Sequence, residues 1–190
     1  TLAHRPDEFR AFFAYHDALM EKEGGLTKAE REMIVVATSG ANDCLYCIVA
    51  HGAILRIYAK NPLVADQIAV NYRDADITPR QKAMLAFAMK VALSSRDVGD
   101  ADFAALREHG FDDEDIWDIG GIAAFFTLGA ALRWLPSGEG IGSCLMISPL
   151  SSRLVWAMRG RIWQCVLARG ASQTRPSHPA SCQGTRMVRC

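Results

Sequence analysis

Twice in its first hundred residues the chain carries the same signal for starting a helix. "LTKAE" and "ITPRQ" each set a threonine at an N-cap position, Thr27 and Thr78, with Glu30 or Gln81 three residues on. In such a capping box the hydroxyl accepts from the third backbone N–H while the Glu or Gln side chain reaches back to the cap's own N–H. Two donors that helix geometry orphans are thereby satisfied together. Pro79 takes the first helical position of the second box, where its missing N–H is no loss, and Leu26 stands before the first in the place of a hydrophobic staple. No segment alternates convincingly with period two, so the fold class predicted is all-α.

The remaining segments extend this reading. Residues 4–22 hold an apolar stripe through Phe9, Phe12, Phe13, Ala18, Leu19 and Met20, with Pro6 suited to the first turn and Gly24-Gly25 as the stop. The helix after Thr27 runs through Met33, Ile34, Val36 and Ala37, and Ser39-Gly40-Ala41 is expected to break it. Asn42 or Asp43 is expected to cap the next helix, which runs to Lys60 and stops at Asn61-Pro62. A short helix over 63–72, one from Thr78 to about Ser94, one over 102–109 and a last one from the Asp112 cap to about 134 complete the series. The expectation is a compact bundle of about six or seven helices over residues 1–134. "LTKAEREMIVVA" and "ITPRQKAMLAFA" also align as a weak internal echo, with Glu32 falling opposite Ala83. Packing alone would not require that carboxylate.

At 190 residues the chain has room for one domain with a real core and an appendage. Its net charge is zero and half its residues are apolar, so nothing global points to nucleic acid or a membrane surface. No uninterrupted apolar run reaches the roughly 18 residues of a membrane span, and no signal-peptide pattern opens the chain. Its start at Thr1 suggests a few leading residues upstream. A cytoplasmic setting is the expectation, and there a Cys-x-x-Cys is catalytic or metal-binding more often than a permanent disulfide. Charge is distributed unevenly: through Leu132 there are 13 basic and 20 acidic residues, whereas from Arg133 onward there are eight arginines, no lysine and Glu139 as the sole acid. Four of the six cysteines, Cys144, Cys165, Cys182 and Cys190, fall in that second part. Its last stretch, "ARGASQTRPSHPASCQGTRMVRC", has no helical or strand period, and residues 135–190 are expected to form a poorly structured tail. An out-of-frame reading of the gene starting between Phe126 and Leu135 would explain it; a genuine basic tail that binds nucleic acid is the alternative.

Chemistry concentrates in "NDCLYCIVAH". On a helix starting here, Cys44, Cys47 and His51 are three and four residues apart and share a strip about 100° wide. The first-turn N–H groups and the positive end of the helix dipole favour a thiolate, the only good nucleophile among thiol forms. The His51 imidazole can take the Cys47 proton directly or through one water. Glu32, on the preceding helix, is the nearest carboxylate that could hold that imidazole in one tautomer. Two other readings stand beside this one. Zinc would find three ligands in Cys44, Cys47 and His51, but a structural site needs a fourth, and no second pair stands at a suitable spacing in the helical part. Alternatively both cysteines are small buried hydrophobes and His51 a satisfied core residue.

The spacing of Glu32, Cys44, Cys47 and His51 resembles the active-site signature of the alkyl hydroperoxidase D family, within the carboxymuconolactone decarboxylase-like superfamily. "HRPDEFRAFFAYHDALM", "LTKAEREMIVVATSGANDCLYCIVAHGAILR" and "DEDIWDIGGIAAFF" are similar to its uncharacterised peroxidase-related enzymes. The resemblance spans about residues 2–126. Tyr46 stands where the best-studied branch has a histidine. The resemblance implies a thiol-dependent peroxidase that needs no cofactor, with Cys47 attacking, Cys44 resolving, and Glu32 with His51 as proton relay. It further implies a small hydroperoxide or disulfide substrate, an external dithiol reductant and a homo-oligomer, trimeric or hexameric, with the small-residue helix at 119–131 as a contact. The superfamily's decarboxylase reaction is not defined by a dithiol. A non-catalytic metal-binding or scaffold protein using Cys44, Cys47 and His51 is the alternative function. The residues themselves weigh the two thiols against each other. Position nearer the helix end favours Cys44 by about 0.3–2 kcal/mol, whereas a base one turn from Cys47 is worth about 3–5 kcal/mol in rate. The larger effect selects Cys47.

Overall fold

The computed structural model describes residues 4–133 and 135. Among them seven α-helices follow one another without a strand: α1 (Pro6–Met20), α2 (Lys28–Ala41), α3 (Leu45–Ala59), α4 (Val64–Asn71), α5 (Pro79–Ser94), α6 (Asp100–Glu108) and α7 (Asp113–Leu132). A single 3₁₀ turn, Ser95–Asp97, links α5 to α6. The all-α bundle read from the sequence is thus the fold. Trp134, the tail beyond Leu135 and the questions attached to it fall outside the described residues.

Both capping boxes form. Glu30 N donates to Thr27 Oγ1 at 3.1 Å and Thr27 N to Glu30 Oε2 at 2.9 Å. Gln81 N donates to Thr78 Oγ1 at 3.2 Å and Thr78 N to Gln81 Oε1 at 3.0 Å. Asp112 caps α7 in the same way, accepting from Asp115 N at 2.8 Å. Pro6 and Pro79 sit in the first turns of α1 and α5. Leu26 is buried, but the inner staple position is Arg31, so it packs into the general core rather than against an apolar staple partner.

The helix α2 is the centre of the bundle. Every residue from Glu30 to Ser39 is buried, and α3, α4, α5 and α7 all pack against it. Three charges inside that run therefore need partners. Glu30 meets Arg80; Arg31 Nη1 donates to the Leu19 carbonyl at 2.7 Å and to Asp118 Oδ2 at 3.3 Å. Lys22 reaches the other oxygen of Asp118 at 2.8 Å. The third charge, Glu32, belongs to the site described next.

By length and composition α7 could cross a membrane, a point at which the structure goes beyond the sequence expectation. Half of it is buried inside the bundle, where Ile119, Ile122, Phe125 and Phe126 join the core and Asp115 and Asp118 are enclosed. This is the pattern of a central helix in a packed bundle. The same burial bears on the 119–131 stretch expected as a subunit contact: Ile119, Ile122, Ala123, Phe125, Phe126 and Ala130 are already covered within one chain.

Candidate active site

A tight turn between α2 and α3 builds the site. The expected break at Ser39-Gly40-Ala41 does not occur, since α2 continues through Ala41. Tertiary contact overrides the weak propensity of these residues. Ser39 is buried, and a Cβ on Gly40 would lie 2.8 Å from the Ala69 carbonyl oxygen, so glycine lets α4 approach α2 closely. The reversal then needs only Asn42 and Asp43. Asn42 N and Nδ2 both donate to the Thr38 carbonyl, at 3.1 and 2.9 Å. Asp43 takes a left-handed φ of 51°, which Asp tolerates better than most residues. Neither residue caps α3, contrary to expectation. The N-cap is Cys44, one position earlier than the sequence reading placed it, and no side chain caps this helix. Cys44 N instead donates back to the Ser39 carbonyl at 2.9 Å, tying the two helices together at the cysteine.

Four side chains converge on the hairpin. Cys44 and Cys47 are joined in a disulfide, with Cα atoms 5.4 Å apart. Cys44 is 5% exposed, whereas Cys47 is partly open to solvent. One turn further along α3, His51 Nδ1 lies 2.7 Å from Glu32 Oε2 on α2. Both are largely buried, with side-chain exposures of 15% and 7%. A carboxylate at that distance accepts from an N–H, which assigns a proton to Nδ1; in the neutral ring Nε2 is then the acceptor. The Phe126 ring from α7 packs against the imidazole in a T-shaped contact, with centroids 4.9 Å apart and planes at 84°.

All four residues singled out in the sequence thus lie on the α2–α3 hairpin, and the structure pairs Glu32 with His51. Two neighbours escaped the sequence reading. Phe126 was visible only as part of an apolar helix. Ser39 lies seven residues after Glu32, hence on the same face of α2, and that spacing could have identified it. Its hydroxyl is enclosed and has no hydrogen-bond partner among the described residues.

A metal reading fits this arrangement poorly. Both sulfurs are engaged with each other and Nδ1 faces Glu32. Among the described residues no group of three or more His, Cys, Asp or Glu side chains is placed to hold an ion. What the arrangement offers is a two-electron couple, dithiol against disulfide, one helical turn from a carboxylate-paired imidazole.

The chain matches the carboxymuconolactone decarboxylase family over residues 6–69. No curated protein matches it. Among solved structures it is similar to the alkylhydroperoxidase AhpD core of an uncharacterised peroxidase-related protein from Ralstonia eutropha JMP134. Identity there is 70%, over 73% of this chain and 75% of that one, with a TM-score of 0.68. An uncharacterised peroxidase-related protein from Silicibacter sp. TM1040 is 40% identical over 72% and 74% of the two chains, with a TM-score of 0.66. A protein of unknown function from Agrobacterium tumefaciens shares the fold at 21% identity and a TM-score of 0.59, over 73% and 96% of the chains. With its helical bundle, its hairpin disulfide and 70% identity to the first of these, the chain belongs to the AhpD-like, peroxidase-related proteins of the carboxymuconolactone decarboxylase superfamily.

Proposed function

We propose that this protein is a thiol-dependent peroxidase that reduces small hydroperoxides, with Cys47 as attacking thiol and Cys44 as resolving thiol. Disulfide reduction is the same cycle run without the peroxide step. The observation that carries the reading is the Cys44–Cys47 pair one helical turn from an imidazole held by a buried carboxylate. The Cys47 thiolate attacks the O–O bond and becomes a sulfenic acid while the alcohol departs; the Cys44 thiol condenses with it, releasing water and forming the disulfide. An external dithiol returns two electrons by exchange. His51 Nε2 serves as acceptor for the Cys47 proton, and Glu32 keeps the ring in the tautomer that leaves Nε2 free. The partial exposure of Cys47 against the burial of Cys44 supports this division of labour. The active form is a homo-oligomer, trimeric or hexameric.

Thiols counted before and after one equivalent of organic hydroperoxide test the proposal. The expected result is loss of two thiols per chain, mapped by peptide analysis to Cys44 and Cys47. Cys44→Ser should still yield a sulfenic acid at residue 47, whereas Cys47→Ser should be inert. Labelling of Cys44 by a sulfenic-acid probe at the wild-type rate in Cys47→Ser would reverse the assignment.

A further inference from the structure

The register of the α2–α3 hairpin extends past the Glu32–His51 pair. The helices run antiparallel, so moving seven residues forward from Glu32 along α2 and seven back from His51 along α3 reaches Ser39 and Cys44. The 2.9 Å bond from Cys44 N to the Ser39 carbonyl confirms that these two residues are level. Ser39 is 2% exposed, and its Oγ has no partner among the described residues. A buried hydroxyl on a helix commonly bonds back to a carbonyl one turn earlier, as Thr38 does to Ile34 at 2.8 Å. Ser39 does not. An unsatisfied buried donor costs stability in the state that leaves it unpaired, so its presence calls for a partner in another state of the working cycle.

We infer that the Ser39 hydroxyl is the donor that receives the Cys44 thiolate when the disulfide is opened. A disulfide sulfur is a weak acceptor, so the hydroxyl is idle in the oxidised form. A thiolate is a strong one, and a charge-assisted bond then becomes available. The inference rests on the dithiol reading proposed above. In the reductive half-cycle an external thiolate attacks Cys47, the more exposed sulfur. A new S–S bond forms to Cys47, the Cys44–Cys47 bond breaks, and the electron pair leaves on Cys44 Sγ. The second thiol of the reductant, once deprotonated, then attacks its own sulfur in the mixed disulfide and expels the Cys47 thiolate, so the reductant ends oxidised by two electrons. Ser39 acts on the first of these steps, because a stabilised leaving thiolate departs faster. Cys44 is also the N-cap of α3, where the helix dipole favours a thiolate, but Ser39 is the donor that a substitution can remove.

Ser39→Ala in the full chain tests this. Disulfide opening by dithiothreitol, read as peptide-resolved alkylation of Cys44 and Cys47, should slow about three- to tenfold. In a Cys47→Ser background, the pH midpoint of Cys44 alkylation should move up by about one pH unit on adding Ser39→Ala. The ionisable side chains of the hairpin, Asp43 and Tyr46 beside Cys44 and Glu32 with His51 two turns away, are present in both proteins and act equally on both profiles. The oxidised form of Ser39→Ala should be as stable as the wild type or more so, because an unpartnered hydroxyl has been removed. Unchanged rate and midpoint would overturn the inference, as would a destabilised oxidised form, which would give the hydroxyl a purely structural task. A wild-type chain that consumes no hydroperoxide, yet shows both Ser39 effects with dithiothreitol, would defeat the peroxidase reading and leave this one standing.

Discussion

The roles proposed for Glu32 and His51 separate experimentally. His51→Ala removes the proton acceptor and should slow sulfenic-acid formation at Cys47 by about 10²-fold or more. Glu32→Gln is milder, because a Gln oxygen can still accept from Nδ1–H. Its effect should be about tenfold, the worth of roughly one charge-assisted hydrogen bond. Stopped-flow peroxide consumption measures both, with far-UV circular dichroism confirming intact helices. Equal losses in the two variants would mean that Glu32 does more than orient the ring. His51 was legible from spacing, since three- and four-residue steps along one helix oblige side chains to share a face; Glu32 was legible only as the nearest carboxylate on the preceding helix and through the family resemblance. Phe126 was not legible, because its relevance comes from what a second helix brings opposite it, whereas the seven-residue step from Glu32 to Ser39 carried a signal that the carboxylate alone did not call for.

Among the elements, the starts that carry a capping box were the easiest boundaries to read. A capping box is local chemistry, complete within four residues, and Thr27, Thr78 and Asp112 all act as expected. The end of α2 is decided by α4, a segment distant in sequence, so the small residues at 39–41 misled. Gly40→Ala should therefore destabilise despite alanine's better propensity. Overpacking against the Ala69 carbonyl costs about 1–3 kcal/mol, offset by up to about 1 kcal/mol of helix gain. A lower urea midpoint is the expected outcome; an unchanged one would mean that α4 yields freely. At the start of α6, Asp102 is held below its usual carboxylate range by hydrogen bonds from Lys90, at 2.7 and 2.8 Å, and then from Gly99 N–H at 2.9 Å. A depressed carboxylate contributes stability that is fully present above its unfolded-state value of about 3.9 and is lost as pH falls through the lower folded value. Asp102→Asn should flatten the acid limb, so thermal midpoints at pH 5 and pH 3 should lie closer together than in the wild type. Parallel acid limbs would remove this pair from the acid response.

For the whole molecule, the outer face of α3 is as apolar as its inner one. Leu45, Val49 and Ile57 stand exposed at one- and two-turn intervals, at 71%, 62% and 48%. A helix apolar all round is normally covered on both sides. With much of α7 already covered inside the chain, self-association through α3 is the expectation. Light scattering on the full chain should give a mass above the monomer, and Val49→Glu should lower it without loss of helicity. A monomeric wild type would end this proposal. The central position of α2 has a consequence for durability. The carboxylate that orients the imidazole sits on the helix least able to open by itself, in the part of a bundle whose amides exchange only when the whole structure opens. On the proposed peroxidase reading, Glu32 would be displaced only with the fold, so activity left after heating should track the fraction of protein that circular dichroism reports as folded.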